Sequence, residues 1–154
     1  MRASPMPSPH LLTEVSAIDA LLARTHRVAV LGIKTEAQAG QPAYDVPLYL
    51  ATTAGLEVVP VPVYYPEVTT LLGKPVYRRL ADIPGDLDLV DVFRRAKDLD
   101  AHVDDILAKR PRAVWLQLGI RNDGVAERLA AAGIDVVQSR CLMVDHRRWA
   151  AAAR

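Results

Sequence analysis

The residues of this chain whose types and order could do chemistry are one glycine and a series of cations. Arg27-Val-Ala-Val-Leu-Gly-Ile-Lys34 is an apolar run that ends on Gly32, with Lys34 two residues beyond. Lys74, Arg78 and Arg79 lie in the loop after the next apolar run, and Arg94 and Arg95 follow a third. A glycine turn before a helix presents backbone N–H groups, and N–H groups together with cations are what phosphate oxygens require. Each cation alone reads as a solvated surface charge. Their recurrence after strand ends favours an anionic ligand with several phosphates.

Other chemistries find little support. The dinucleotide fingerprint needs three closely spaced glycines, and here Gly32 is followed only by Gly40. The second strand should end near an acidic residue that holds ribose hydroxyls, but Val59-Pro-Val-Pro-Val-Tyr-Tyr65 reaches no carboxylate before Glu67. Both absences argue against NAD. Gly73-Lys74 lacks the earlier glycine and the following Ser or Thr of a Walker-type loop. His10, His26, His102 and His146 stand at no metal-ligand spacing to one another or to Cys141, and each reads as a surface histidine. Cys141 reads as a buried, inert thiol after the last strand. Asp88 and Asp91 interrupt a strand without the spacing of an acid–base pair. No catalytic or metal-ligating residue is nominated.

A chain of 154 residues, 51% hydrophobic and 24% charged, suits one soluble globular domain with its own core. A net charge of +1 gives no global field toward nucleic acid or an anionic membrane. The single cysteine excludes an internal disulfide and a multi-cysteine metal site. No apolar run reaches the roughly 18 residues of a membrane span. Residues 1–10, with Pro5, Pro7 and Pro9, lack the apolar stretch of a secretory signal, so the expected location is cytoplasmic. Asparagine occurs only at Asn122, glutamine is scarce, and proline and arginine are plentiful. That is a thermophile-like bias, which a GC-rich genome would also give.

The elements that must position these residues alternate along the chain. Residues 1–12 are expected to form a flexible leader and residues 13–154 a single domain. Leu11, Leu12, Val15, Ile18, Leu21 and Leu22 have helical spacing, which predicts a helix over residues 11–24 with Thr13 as its cap. Residues 28–31 predict a buried strand. A second helix is predicted to start near Tyr44 or Asp45, so that Pro47 falls in its first turn, and to close at Gly55. Further strands are predicted over residues 56–63, 87–93, 113–118 and 134–137, and helices over 98–109, 125–132 and 142–153. Short apolar strands alternating with amphipathic helices predict an α/β fold: a Rossmann-like, doubly wound, mainly parallel sheet with helices on both faces. Such sheets bind ligands outside the carboxyl ends of their strands.

Several pieces, in order over roughly residues 13–149, carry a resemblance that covers most of the chain. They are Val28-Ala-Val-Leu-Gly-Ile33, Pro42-Ala-Tyr-Asp-Val-Pro-Leu-Tyr-Leu50, Val58-Val-Pro-Val61, Gly73-Lys-Pro-Val-Tyr77 with Leu80-Ala-Asp-Ile-Pro84, and Asp88-Leu-Val-Asp-Val-Phe-Arg-Arg95. Val114-Trp-Leu-Gln-Leu-Gly-Ile-Arg-Asn122 is the most specific, and Arg140-Cys141 and Asp145-His-Arg-Arg148 close the series. On these pieces the chain resembles the small bacterial CoA-binding proteins, a family similar to the N-terminal CoA-binding domain of the succinyl-CoA synthetase alpha subunit. The resemblance implies a Rossmann-like fold that binds coenzyme A or an acyl-CoA without a reaction of its own. It nominates Gly32, Ile33 and Lys34 after the first strand, Val61 and Pro62 after the second, and Val92, Phe93 and Arg94 after the third. Gln117 and Gly119 border the same edge. Tyr44 marks the helix start expected to face the pyrophosphate, and Val61 and Phe93 are expected to lie against the adenine.

Two positions depart from the family pattern. Ala43 stands where the family commonly has Ser, and Pro62 where it commonly has Asn. The first change removes a hydroxyl; the second removes a side-chain amide and a backbone donor. The synthetase's second domain, with its phosphohistidine, is not matched, so ligase chemistry by this chain alone is not expected. The competing expectations are a CoA-site subunit of a ligase or a thioester-processing enzyme, using Cys141 or His146, and a CoA-responsive interaction module. The expected partner is a small-molecule nucleotide rather than nucleic acid or a membrane. A homo-oligomer or a protein partner stays open.

Overall fold

Runs of Val, Leu and Ala become strands wherever helices cover both sides of them. In the computed structural model, which describes residues 8–153, the chain runs α1 (Val15–Ala23), β1 (Arg27–Leu31), α2 (Pro42–Thr52), β2 (Glu57–Val61), β3 (Thr70–Leu71), β4 (Lys74–Pro75), β5 (Leu89–Val92), α3 (Val103–Lys109), β6 (Ala113–Leu116), α4 (Asp123–Ala131), β7 (Asp135–Val137) and α5 (Leu142–Ala152). Five strands form one parallel sheet in the order β2-β1-β5-β6-β7, and β3 and β4 form a small antiparallel hairpin. Successive side chains alternate between two cores. Ala29, Leu31, Val90, Val92, Val114 and Leu116 face α3 and α4, while Val28, Val30, Leu89, Ala113 and Trp115 face α1, α2 and α5. This is the expected doubly wound α/β sheet. No helix of the described residues is long and apolar enough to cross a membrane.

The strand order decides where a ligand can enter. From β1 the chain winds outward to β2, then returns to the other side of β1 as β5 and continues to β6 and β7. The loops that leave β1 and β5 therefore run to opposite faces, and the carboxyl edge between them is where sheets of this order form their ligand crevice.

The structure moves three predicted boundaries. Helix α1 starts at Val15, not at residue 11, and its cap position is Glu14 rather than Thr13. Leu11 instead makes a parallel bridge to Val136, with the Leu12 N–H on the Val136 carbonyl at 2.9 Å and the Val136 N–H on the His10 carbonyl at 2.7 Å. The outer edge of β7 has unpaired backbone groups, and this segment satisfies them. Residues 1–7 of the expected leader lie outside the described residues. The predicted helix over residues 98–109 begins instead as a 3-10 segment, Ala96–His102, before α3.

The third change concerns Pro47. Helix α2 starts at Pro42, so Pro47 sits in its interior rather than in its first turn. A proline there leaves the carbonyl four residues earlier without its helical donor. That carbonyl is Ala43's, and the backbone N–H of Lys34 takes it at 3.0 Å. The cost of the proline is met by docking the β1–α2 loop onto the helix.

The two aspartates of the β5 region have different fates. Asp88 accepts the N–H groups of His26 and Arg27, both at 2.8 Å, and ties the start of β1. Asp91, opposite Val30 and Trp115 in the sheet, is fully buried, and both its oxygens lack a hydrogen-bond partner. Burial pushes its carboxyl well above the usual carboxylate range. The native state thus holds a proton that the unfolded chain releases near about pH 3.9. Above that value the unfolded state binds fewer protons, so this group's contribution to stability falls as pH rises toward its native value. Asp91→Asn removes the effect. The expected result is a gap between the variant and the parent that widens by up to about 1.4 kcal/mol per pH unit between roughly pH 4 and the native value. Urea unfolding at several pH values reads it, and a gap that stays constant with pH would contradict the buried neutral carboxyl.

Candidate functional site

At the exit of β1, Gly32 adopts φ +88°, and a Cβ there would lie 2.4 Å from the Phe93 carbonyl oxygen and 3.3 Å from Arg94 Cδ. Its N–H binds the Val61 carbonyl at 2.9 Å, and the Phe93 N–H binds the Leu31 carbonyl at 2.8 Å. The ends of β2, β1 and β5 are thereby locked side by side, with Arg94 crossing over Gly32. Lys34 comes next, with its Nζ on Gln41 Oε1 at 2.6 Å, beside the start of α2. The loop between them is held by its own groups. Gln38 Oε1 accepts from the Thr35 N–H at 3.0 Å and its hydroxyl at 2.7 Å, and the Gly40 N–H binds Asp45 Oδ1 at 2.9 Å.

The first turn of α2 offers little to an anion. Pro42 has no N–H, and the Tyr44 and Asp45 N–H groups are spent on the Gln41 carbonyl. Among the described residues only the Ala43 N–H of that turn has no partner. Tyr44 itself is buried.

The other nominated residues divide into support and rim. Ile33, Val61 and Val92 are almost fully buried in the two cores and Pro62 is buried, so they shape the strand ends from within and present no open surface to the crevice. Phe93 is half-buried against the α1–α2–α5 core. Gln117 is buried and accepts the Leu142 N–H at 3.1 Å, capping α5, whose own cap residue, Cys141, contributes no side-chain bond. Gly119, also at positive φ, gives its N–H to Ser139 Oγ at 3.1 Å.

Arg94 is the cation that reaches the crevice. Its side chain is only 15% exposed. Nε donates to His102 Nε2 at 3.2 Å, Nη1 to the Tyr64 hydroxyl at 3.3 Å, and the guanidinium carbon lies 5.4 Å from the centre of the Tyr64 ring. An arginine can only donate, so His102 Nε2 is unprotonated and that imidazole is neutral. Burial first, and the Arg94 charge second, hold the His102 pKa below its ordinary value. The nearest counter-charge is Asp98 at 3.9 Å, and that carboxylate is engaged more closely by Arg95 at 2.9 Å. A desolvated guanidinium whose close partners are neutral keeps most of its attraction for an anion.

The remaining nominated cations serve elsewhere. Arg78 donates to the carbonyls of Tyr64, Tyr65 and Val68 and pins the loop after β2. Lys74 shares a recess with Arg27 and Glu57, at the amino end of β2. Arg79 is exposed and precedes a 3-10 turn, Leu80–Asp82. A recess of about 710 Å³ lies between residues 8–13, α4 and the end of β7, away from the crevice. Its arginines are paired, Arg121 with Asp123 at 3.1 Å and Arg140 with Asp145 at 2.7 Å.

A family model described as a CoA binding domain matches residues 26–147. The chain belongs to this CoA-binding domain family. Solved structures share its fold closely. The Thermus thermophilus protein "cell-free ID.343" is 37% identical with a TM-score of 0.80, covering 89% of this chain and 99% of that one. The Bacillus subtilis (strain 168) protein YneT, described as uncharacterized, is 28% identical over 134 residues, 84% of this chain and 91% of YneT. A dinucleotide-forming acetyl-coenzyme A synthetase from Ca. Korarchaeum cryptofilum aligns with 71% of this chain and 25% of its own, at 14% identity and a TM-score of 0.61, which is a likeness of fold.

Two histidines of this CoA-binding domain differ from the sequence reading. His146 is buried rather than on the surface. Its Nδ1 lies 2.9 Å from the Tyr49 hydroxyl, its ring meets Tyr49 and Trp149 edge-on, and burial lowers its pKa. The signal was available, because Leu142, His146 and Trp149 fall on one face of a helix. His102, also read as a surface residue, is half-buried behind Arg94. Tyr64, which no sequence signal marks, stands on the rim beside Arg94.

Proposed function

We propose that this chain binds coenzyme A or an acyl-CoA in the crevice between the ends of β1 and β5, and that it does so without catalysis of its own. The observation that carries the reading is Arg94: a largely desolvated, under-compensated cation laid across Gly32 at the point where the strand order reverses. Coenzyme A is an anion there, with a pyrophosphate and a ribose 3′-phosphate, and the residues present suit it. Arg94 and Lys34 supply charge, Gly119 leaves the backbone open to close approach, half-buried Phe93 gives an apolar wall, and Gly32, Ile33, Val61, Pro62 and Val92 shape the strand ends from within. Tyr44 and Gln117 act from within the fold, by holding α2 and α5. The family membership supports the same ligand class.

Ala43 and Pro62 remove a hydroxyl and an amide that many relatives would offer, which shifts more of the recognition onto Arg94. Thermal melting with CoA, acetyl-CoA, NAD and ATP in parallel tests the reading. A ligand at 100 times its Kd stabilises the native state by about 2.7 kcal/mol, and the expected result is a shift of roughly 5–10 °C with the CoA species alone. No shift with millimolar CoA, or an equal shift with NAD or ATP, would sink it.

A further inference from the structure

The expected contact between Val61 and the adenine fails on burial, because Val61 and Val92 are fully covered. The aromatic surface left open beside the crevice is Tyr64, 59% exposed. It is not a loose side chain. The Arg78 guanidinium holds its backbone from behind, binding the carbonyls of Tyr64 at 2.9 Å and of Tyr65 and Val68 at 2.8 Å. Tyr65 meets the Tyr64 ring edge-on at 6.5 Å, and Arg94 lies at its side. An exposed aromatic on a pinned backbone next to a cation is what nucleotide recognition uses: the ring takes a base and the guanidinium takes a phosphate.

Arg94 is aimed by His102. The imidazole nitrogen accepts the Nε–H, which leaves the outer Nη groups of the guanidinium facing Tyr64 and the crevice. A carboxylate in the same place would aim the arginine equally well but would cancel its charge. A neutral imidazole orients it and leaves the charge for a ligand.

We propose that Tyr64 stacks the purine of the bound nucleotide while Arg94 grips a neighbouring phosphate, with His102 as the positioning residue that aims Arg94; this rests on the coenzyme A reading above. Tyr64 and His102 then set the preference for an adenosine-bearing ligand. Acid weakens the arrangement, because a proton on His102 Nε2 would point at the Arg94 N–H. The charged groups facing His102 are Arg94 from the β5 exit, Asp98 from its own 3-10 segment and Asp105 from α3. The two carboxylates favour the protonated imidazole, but burial and Arg94 outweigh them, and the loss of affinity falls on the acid side of neutrality.

Calorimetry with CoA, adenosine 3′,5′-bisphosphate and 4′-phosphopantetheine separates the parts. Tyr64→Ala should raise the Kd for CoA and for the bisphosphate about tenfold or more, and leave 4′-phosphopantetheine unchanged. Tyr64→Phe should keep most of the affinity. His102→Ala should weaken CoA, and His102→Gln, whose amide oxygen can accept the same N–H, should restore it. The ratio of wild-type to His102→Gln affinity should fall as pH is lowered, a comparison in which the ligand's own titration cancels. Melting midpoints check that each variant is folded. If wild type binds CoA and Tyr64→Ala binds it equally well, or loses 4′-phosphopantetheine as much as the bisphosphate, stacking by Tyr64 is wrong. If His102→Gln is as weak as His102→Ala, or the ratio is flat with pH, His102 does not aim Arg94. If wild type binds no CoA, the coenzyme A reading itself fails.

Discussion

Gly32→Ala is expected to destabilise the fold by about 3 kcal/mol or more. The residue sits at φ +88°, where a side chain is strained, and the added methyl carbon would meet the Phe93 carbonyl oxygen at 2.4 Å. That oxygen has little room to step aside, because Phe93 directly follows β5 and is bound through its N–H to the Leu31 carbonyl at 2.8 Å. Gly119 provides the control. It has the same φ of +88° but nothing within 4 Å of the position of its missing Cβ. Gly119→Ala should cost only the backbone strain, about 1–2 kcal/mol. Urea unfolding of both variants measures the difference. Equal losses would mean that the approach of the two loops at Gly32 is not tight.

Arg94→Ala is expected to raise the Kd for CoA by about 10- to 100-fold, the worth of a charge-assisted hydrogen bond to phosphate lost from a partly desolvated site. Arg94→Lys should not rescue it. An ammonium cannot donate to His102 and Tyr64 and still present a planar pair of N–H groups to an oxyanion. Calorimetry at two salt concentrations checks both points. The parent affinity should fall with salt, and the alanine variant's should fall less. An unchanged Kd in Arg94→Ala would remove the central support of the proposed site.

The sheet was readable because burial on both faces turns a strand into an unbroken apolar run, and Val28, Ala29, Val30 and Leu31 form such a run. The carboxyl-edge location followed from the same alternation. What could not be read were features that depend on distant partners. Leu11 and Leu12 match a helix by spacing, yet the open edge of β7, more than a hundred residues away, claims them. The start of α2 was misplaced because the proline rule assumes that the orphaned carbonyl stays orphaned, and Lys34 answers it. Arg78 and Arg94 look alike along the chain. One is spent on backbone carbonyls and the other is held open by an imidazole, a distinction that appears only when Tyr64 and His102 are in place. His146 stands beside Arg147 and Arg148 in the chain, but helical spacing, not adjacency, decides which residues turn inward, and it turns inward with Leu142.

The bond between Lys34 and Ala43 makes the β1–α2 loop and the helix one mechanical piece. Helix α2 carries Tyr49, whose hydroxyl meets His146 on α5 at 2.9 Å. The loop is therefore tied through α2 to α5, its neighbour on the same face of the sheet, by way of a carbonyl that Pro47 leaves open. A bond missing from one helix becomes the point at which the crevice's rim is fastened to the helical layer beneath it.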